Sequence, residues 1–208
     1  MSRPVTLVYG GTFDPPHAVH AHIASMAADA LGATRILVLP AGVNPQRTAT
    51  PPAPAEHRLA MVRLAFAADP RVKIDDREMR RDGASYTVDT VAALARERPE
   101  ETLRLLIGGD QALNFHTWRE PARIEALAEP VVAPRPPLDA GALRAALRER
   151  LGADAERWVP RVLDVPPTDA SSTDARVLLA RGERPNASVV LAAVTDYALR
   201  HGLYRGAR

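Results

Sequence analysis

Eleven consecutive residues near the N-terminus, Gly10-Gly11-Thr12-Phe13-Asp14-Pro15-Pro16-His17-Ala18-Val19-His20, gather groups that suit a phosphate-rich ligand. Two glycines after an apolar run let the backbone turn tightly and bring N–H groups close to a ligand. A helical pattern begins near His17 or Ala18, so its positive end faces the same spot. His17 and His20 are three apart and share one face of that helix. Thr12 adds a hydroxyl, and both imidazoles can donate hydrogen bonds. Each feature has a plainer reading: a Gly-Gly pair is often only a turn, and a histidine is often structural. With His22 or Asp14 as a third ligand, the two histidines could also bind zinc. It is the concentration of these groups at one strand end that favours phosphate chemistry.

A second group, Ser171-Ser172-Thr173-Asp174-Ala175-Arg176, opens a later helix. Ser171 and Asp174 have capping-box spacing, with Asp in place of the usual Glu or Gln, which is a structural role. The functional reading is that the hydroxyls and first-turn N–H groups form an anion site, with Arg176 one turn in as a multi-point donor. Two such helix ends suit a long polyanion such as a triphosphate. Ile107-Gly108-Gly109-Asp110 places an acid beyond a strand, suited to a ribose hydroxyl or to a helix cap. Trp118 can stack a flat heterocycle or simply pack in the core. Ser85-Tyr86-Thr87-Val88-Asp89-Thr90 precedes a helix and serves equally well as its cap.

The elements that must position these groups follow from periodicity. Val5-Thr6-Leu7-Val8-Tyr9, Arg35-Ile36-Leu37-Val38-Leu39, Val72-Lys73-Ile74, Thr102-Leu103-Arg104-Leu105-Leu106-Ile107, Pro130-Val131-Val132-Ala133 and Arg161-Val162-Leu163-Asp164-Val165 read as strands. Helical patterns cover 18–31, stopping at Gly32, then 56–68, 87–98, 121–128, 139–151, 171–181 and 187–201. Residues 41–54, with Pro45, Pro51, Pro52 and Pro54, read as a loop, as do 134–137. The repeating βα order predicts an α/β fold: a Rossmann-like, doubly wound parallel sheet with helices on both faces. Ligands then sit beyond the carboxyl ends of the strands, after Tyr9, Leu39, Ile107 and Val165.

Composition bounds the function classes. The chain has 208 residues, 46% hydrophobic and 25% charged, which suits one domain with a sizeable core. With no Cys, a thiolate metal site or thiol nucleophile is excluded. No apolar run approaches the ~18 residues of a membrane span, and no signal peptide is visible, so the expected compartment is the cytoplasm. The pI of 9.4 reflects a net charge of only +2, carried almost wholly by arginines scattered among acids. Such a surface predicts neither a nucleic-acid nor a membrane partner.

Gly10-Gly11-Thr12-Phe13-Asp14-Pro15-x-His17-x-x-His20 resembles the first signature of the nucleotidyltransferase superfamily, and Ser171-Ser172-Thr173-x-x-Arg176 resembles its second. The Ser85–Thr90 run, Ile107-Gly108-Gly109-Asp110, Trp118, Tyr197 and Gly202-Leu203-Tyr204 are similar to the nicotinate-nucleotide adenylyltransferase family. The resemblance spans nearly the whole chain, in order. It implies a single nucleotidyltransferase domain over 1–208, with helices from about 171 to 208 completing an ATP site. It implies ATP and nicotinate mononucleotide as substrates, and magnesium held on the triphosphate rather than by a protein metal site. By the same resemblance, His17 and His20 are catalytic and contact ATP. Gly10, Thr12, Phe13, Gly108, Asp110, Ser172, Thr173 and Arg176 complete the ATP site. Gly11, Thr12, Arg47, Thr87, Trp118 and Arg135 would hold the acceptor.

Three positions depart from the family pattern. Val19 replaces a glycine and is expected to crowd the adenine surface. Asn44-Pro45-Gln46-Arg47 stands where a Pro-Pro-His-Lys-like run is usual, with Arg47 supplying the charge. Ala133-Pro134-Arg135-Pro136 stands where an Arg-Pro-Gly-like turn is usual. The alternatives are transfer to nicotinamide mononucleotide, phosphopantetheine or, with CTP, phosphocholine-like acceptors. From other classes come a metal-dependent hydrolase built on the histidines, and a nucleotide-binding protein inactivated by Val19.

Overall fold

The computed structural model describes residues 3–43, 51–166 and 171–205. The apolar runs form β1 (Val5–Gly11), β2 (Arg35–Pro40), β3 (Val72–Ile74), β4 (Thr102–Gly108) and β5 (Glu129–Ala133). They make one sheet in the order β3-β2-β1-β4-β5, parallel throughout. β1 pairs with β4 from Val5 against Thr102 to Val8 against Leu105. β4 pairs with β5 from Arg104 against Glu129 to Gly108 against Ala133. From β1 the chain steps outward to β2 and β3, then returns to β4 and β5 on the other side. Right-handed crossovers in opposite directions place helices on opposite faces, giving the predicted doubly wound α/β fold.

The helices are α1 (Ala18–Leu31), α2 (Ala55–Ala65), α3 (Thr87–Glu97), α4 (Gly109–Leu113), α5 (Pro121–Leu127), α6 (Ala140–Leu151), α7 (Ala155–Trp158), α8 (Ser172–Ala180) and α9 (Ala192–Arg200). Gly32, at φ +60°, ends α1 in the left-handed conformation that glycine adopts without strain. Asp139 caps α6 by accepting from the Ala142 N–H at 2.8 Å. Among the described residues, no helix is long and apolar enough to cross a membrane.

The described residues form two compact units. The first comprises 3–10, 23–37 and 86–166; the second comprises 11–22, 38–43, 51–85 and 171–205. The first is centred on Leu7, Leu105, Ile107, Val132, Leu143 and Leu147, with α3 packed on α5. The second is centred on Val38, Leu39, Met61, Val62, Leu179 and Val194, with α2 packed on α9.

Three predicted elements differ. The strand expected at 161–165 is a single bridge, Val132 to Val162, with the Leu163 N–H donating to the Val132 carbonyl at 2.9 Å. The 3₁₀ turn Val159–Arg161 occupies the approach to it, which leaves one rung where a strand needs several. The helix expected from 187 begins only at Ala192. The Asn186 carbonyl accepts from the Val189 and Val190 N–H groups, and its side chain accepts from the Ser188 N–H, so an Asx turn takes that stretch. α2 stops at Ala65, three residues before the expected end.

Candidate active site

Apart from Gly10, both sequence motifs lie in the second unit. His17 immediately precedes α1, and its N–H donates to His20 Nδ1 at 3.0 Å. The side chain three residues into the helix thus satisfies the capping residue's N–H, one half of a capping box built with an imidazole. Because Nδ1 accepts, the neutral ring carries its hydrogen on Nε2. The two imidazoles stack with centroids 3.5 Å apart and planes 23° apart. His17 is 2% exposed, while His20 is partly exposed.

Phe13 has φ 51°, a left-handed conformation uncommon for a non-glycine residue. Its ring lies beside Gly11, where a Cβ would stand 2.9 Å from the ring's Cζ. The ring meets His20 edge-on at 5.1 Å and Phe66 at 5.7 Å. Gly11 is therefore required by a close aromatic neighbour, beyond the turn that the sequence suggested. Val19 is 3% exposed, so its isopropyl group is packed among protein atoms and does not crowd an open surface as expected.

The second motif sits against the first. Ser171 caps α8, its Oγ accepting from the Asp174 N–H at 3.2 Å. The Ser172 hydroxyl donates to the Pro15 carbonyl at 2.9 Å, 157 positions away in sequence. Arg176 donates through Nη1 to the Asp14 carbonyl at 2.6 Å and through Nη2 to Thr173 Oγ1 at 3.0 Å. Thr173 is exposed, and with its oxygen accepting from Arg176 its hydroxyl hydrogen points elsewhere. One backbone turn, 14–15, thus receives a hydroxyl and a guanidinium from α8.

The carboxylate of Asp14 is almost fully buried. Its Oδ1 accepts from the Tyr204 hydroxyl at 2.9 Å and the Ala53 N–H at 3.2 Å, and Oδ2 lies 3.9 Å from Arg176. Burial, together with the adjacent negative charge and this hydrogen bond, pushes the Tyr204 phenol well above its ordinary range. It therefore remains a protonated donor. Next to this cluster is a residue that the sequence analysis did not single out. Arg58, 2% exposed, donates to four carbonyls: Ala53 at 3.0 Å, Thr12 at 2.9 Å, Ala41 at 2.7 Å and Gly42 at 3.3 Å. The signal was present in the sequence. Arg58, Met61, Val62 and Ala65 share one buried face of α2, and an arginine at a core position of a helix stripe calls for dedicated partners.

The remaining candidates lie in the first unit. Thr87 is the first residue of α3, whose cap residue Tyr86 makes no side-chain cap hydrogen bond. The Arg119 guanidinium covers the Tyr86 ring at 4.8 Å. Trp118 is partly exposed and packs on Phe115 at 5.1 Å, whereas the other tryptophan, Trp158, is core. The Gly108 N–H donates to Gln111 Oε1 at 3.1 Å. The capping role considered for Asp110 therefore belongs to Gln111, and the Asp110 side chain stands exposed in the first turn of α4. A Cβ on Gly108 would lie 2.7 Å from Asp110 Oδ1 and 3.3 Å from Arg135 Cδ, so this glycine lets an acid and a base approach the same strand end. Gly10 lies exposed in β1. Burial raises the Tyr9 phenol pKa, and the Arg135 charge opposes that rise. Arg47 lies outside the described residues.

Among the described residues, no group of three or more His, Asp or Glu side chains is arranged to hold a metal ion. Asp14, one of the two third ligands considered for zinc, has its carboxylate engaged by Tyr204, Ala53 and Arg176.

The cytidylyltransferase-like family model matches residues 8–178. A protein from Laribacter hongkongensis named probable nicotinate-nucleotide adenylyltransferase is 39% identical over 207 residues, covering 95% of this chain and 93% of its own. One of the same name from a Roseiflexus species is 41% identical over 204 residues, covering 98% and 99%. The fold is similar to that of Plasmodium falciparum nicotinic acid mononucleotide adenylyltransferase complexed with NaAD, with TM-score 0.73, 18% identity and 97% of each chain covered. The same Plasmodium enzyme complexed with APC gives TM-score 0.74 at 17% identity over 97% of each chain.

Proposed function

We infer the activity from membership: this chain belongs to the nicotinate-nucleotide adenylyltransferase family, within the cytidylyltransferase-like group. It is an enzyme that transfers the adenylyl group of ATP to nicotinate mononucleotide, yielding nicotinate adenine dinucleotide and pyrophosphate. The acceptor's 5′-phosphate oxygen forms a bond to the α-phosphorus. The bond from that phosphorus to the α,β-bridging oxygen breaks in line, and pyrophosphate leaves. The task is to hold two anions together and to stabilise charge as it moves onto the bridging oxygen.

The observation that carries this reading is the meeting of α8 with the 14–15 turn, through Arg176 on the Asp14 carbonyl and Ser172 on the Pro15 carbonyl. It brings the two anion-friendly motifs to one place. His20, with Nε2–H as a donor, and His17 serve the ATP phosphates. Thr173, Arg176 and the first-turn N–H groups of α8 serve the β- and γ-phosphates. Ser172 contributes mainly by tying the two motifs together. Gly10, Thr12 and Phe13 complete the phosphate loop, and Gly108 and Asp110 line the nucleoside side. Gly11, Arg47, Thr87, Trp118 and Arg135 receive the acceptor. Magnesium would come with ATP as its counter-ion and supply charge neutralisation on the triphosphate oxygens. A single domain over 1–208, with 171–208 completing the ATP site, and a cytoplasmic location belong to the same proposal.

The test offers ATP and magnesium with nicotinate mononucleotide, nicotinamide mononucleotide and phosphopantetheine in parallel, and measures pyrophosphate. Release should be fastest with the nicotinate compound. No release with it, or faster release with another acceptor, would overturn the assignment.

A further inference from the structure

Arg58 lies on the buried face of α2, outside both sequence motifs, and its guanidinium gathers carbonyls from three chain segments. Thr12 belongs to the phosphate loop, Ala41 and Gly42 follow β2, and Ala53 precedes α2. We propose that Arg58 is a positioning residue for adenylyl transfer: its planar fork fixes the Thr12 peptide relative to the stems at 41–42 and 53. The inference rests on the adenylyltransferase reading given above.

Three features support it. The carbonyls converge on one group from different directions, a pattern that a fork of five N–H donors meets and a single ammonium cannot. The neighbouring backbone has little slack: the Ala41 N–H donates to the Gly11 carbonyl at 2.9 Å, and a Cβ on Gly42 would lie 2.3 Å from the Glu78 carbonyl oxygen. The third link is Asp14, two positions beyond Thr12, whose carboxylate accepts from the Ala53 N–H. Ala53 is thus held through its N–H by Asp14 and through its carbonyl by Arg58. The acceptor phosphate must approach the α-phosphorus along one line, and displacing a reacting group by about 1 Å lowers rates by as much as ~10²-fold. Holding the phosphate loop to the neighbouring stems is how a side chain that touches no substrate would govern that alignment.

The experiment compares Arg58→Lys and Arg58→Met with the unaltered protein, at a temperature where each is folded by circular dichroism. It measures kcat per folded molecule and KM for ATP and for nicotinate mononucleotide. The expected result is a kcat lower by at least ~10-fold in both variants, with each KM within about threefold, the signature of lost transition-state alignment. Lysine keeps the charge and is expected not to restore kcat. A merely stabilising role predicts lower melting temperatures with kcat per folded molecule within about twofold of the unaltered protein; that result would overturn the proposal. So would failure of both variants to fold, which would make Arg58 a folding residue. Absence of pyrophosphate release by the unaltered protein would instead overturn the adenylyltransferase reading itself.

Discussion

The Tyr204 hydroxyl donates to the Asp14 carboxylate at 2.9 Å, joining the C-terminal segment to the turn that α8 also grips. Since burial and the adjacent acid raise this phenol's pKa, stability acquires a pH dependence of known sign. Below about pH 10 both folded and unfolded states keep the proton, and the contribution is fully present. Above that, the unfolded chain releases a proton that the folded protein retains, so stability falls by ~1.4 kcal/mol per pH unit for this group. Tyr204→Phe should lower stability near neutrality by about 1–3 kcal/mol and flatten the alkaline decline. Urea midpoints from neutral to strongly alkaline pH measure both effects, and an unchanged alkaline slope would show that Tyr204 ionises as freely when folded.

His17→Ala and His20→Ala should each cut turnover by at least ~10²-fold, as loss of a preorganised donor does elsewhere. His20→Ala has an additional structural consequence, since the His17 N–H loses its partner at the start of α1. It should therefore lose about 1 kcal/mol of stability as a capping loss. Steady-state kinetics beside thermal melts separate the two effects; near-normal turnover in either variant removes that histidine from the chemistry.

Trp118→Ala should act on the acceptor and leave ATP alone. Base–aromatic stacking is worth ~1–3 kcal/mol, so KM for nicotinate mononucleotide should rise by about tenfold or more. Trp118 is only partly buried, so the folded state should tolerate the change far better than it would Trp158→Ala. An equal rise in KM for ATP would contradict the assignment of this ring to the acceptor.

Gly42→Ala tests the backbone contact beneath the candidate site. The added methyl group would meet a carbonyl oxygen at 2.3 Å, and backbone cannot swing away as a side-chain tip can. The expected destabilisation is at least ~1–3 kcal/mol, read from the urea midpoint. A neutral result would mean that the Glu78 peptide yields easily.

Most of the architecture was legible in the sequence because β1, β2 and β4 are buried runs of Val, Leu and Ile between strong punctuation such as Gly32 and Pro40. The failures have local causes. Arg161–Val165 has strand composition but makes one rung, because strand identity depends on a neighbour's register. Ala187–Leu191 has helix composition, but Asn186 takes its first N–H groups into a turn. In the candidate site, Ser171 as a cap and the side-by-side placement of His17 and His20 were readable from spacing alone. The contact of Arg176 with the Asp14 carbonyl was not, because sequence pattern does not encode which backbone carbonyl a long side chain reaches. Arg58 was visible only as an anomaly, a charge on the apolar stripe of α2.

Phe13 gives protein engineers a handle that leaves every polar group in place. Its ring packs edge-on against both Phe66 and the His20 imidazole. A change in bulk at Phe66 is therefore relayed through one rigid aromatic spacer to an imidazole assigned to the reaction. Conservative swaps at position 66 offer a graded adjustment of imidazole placement from inside the hydrophobic interior.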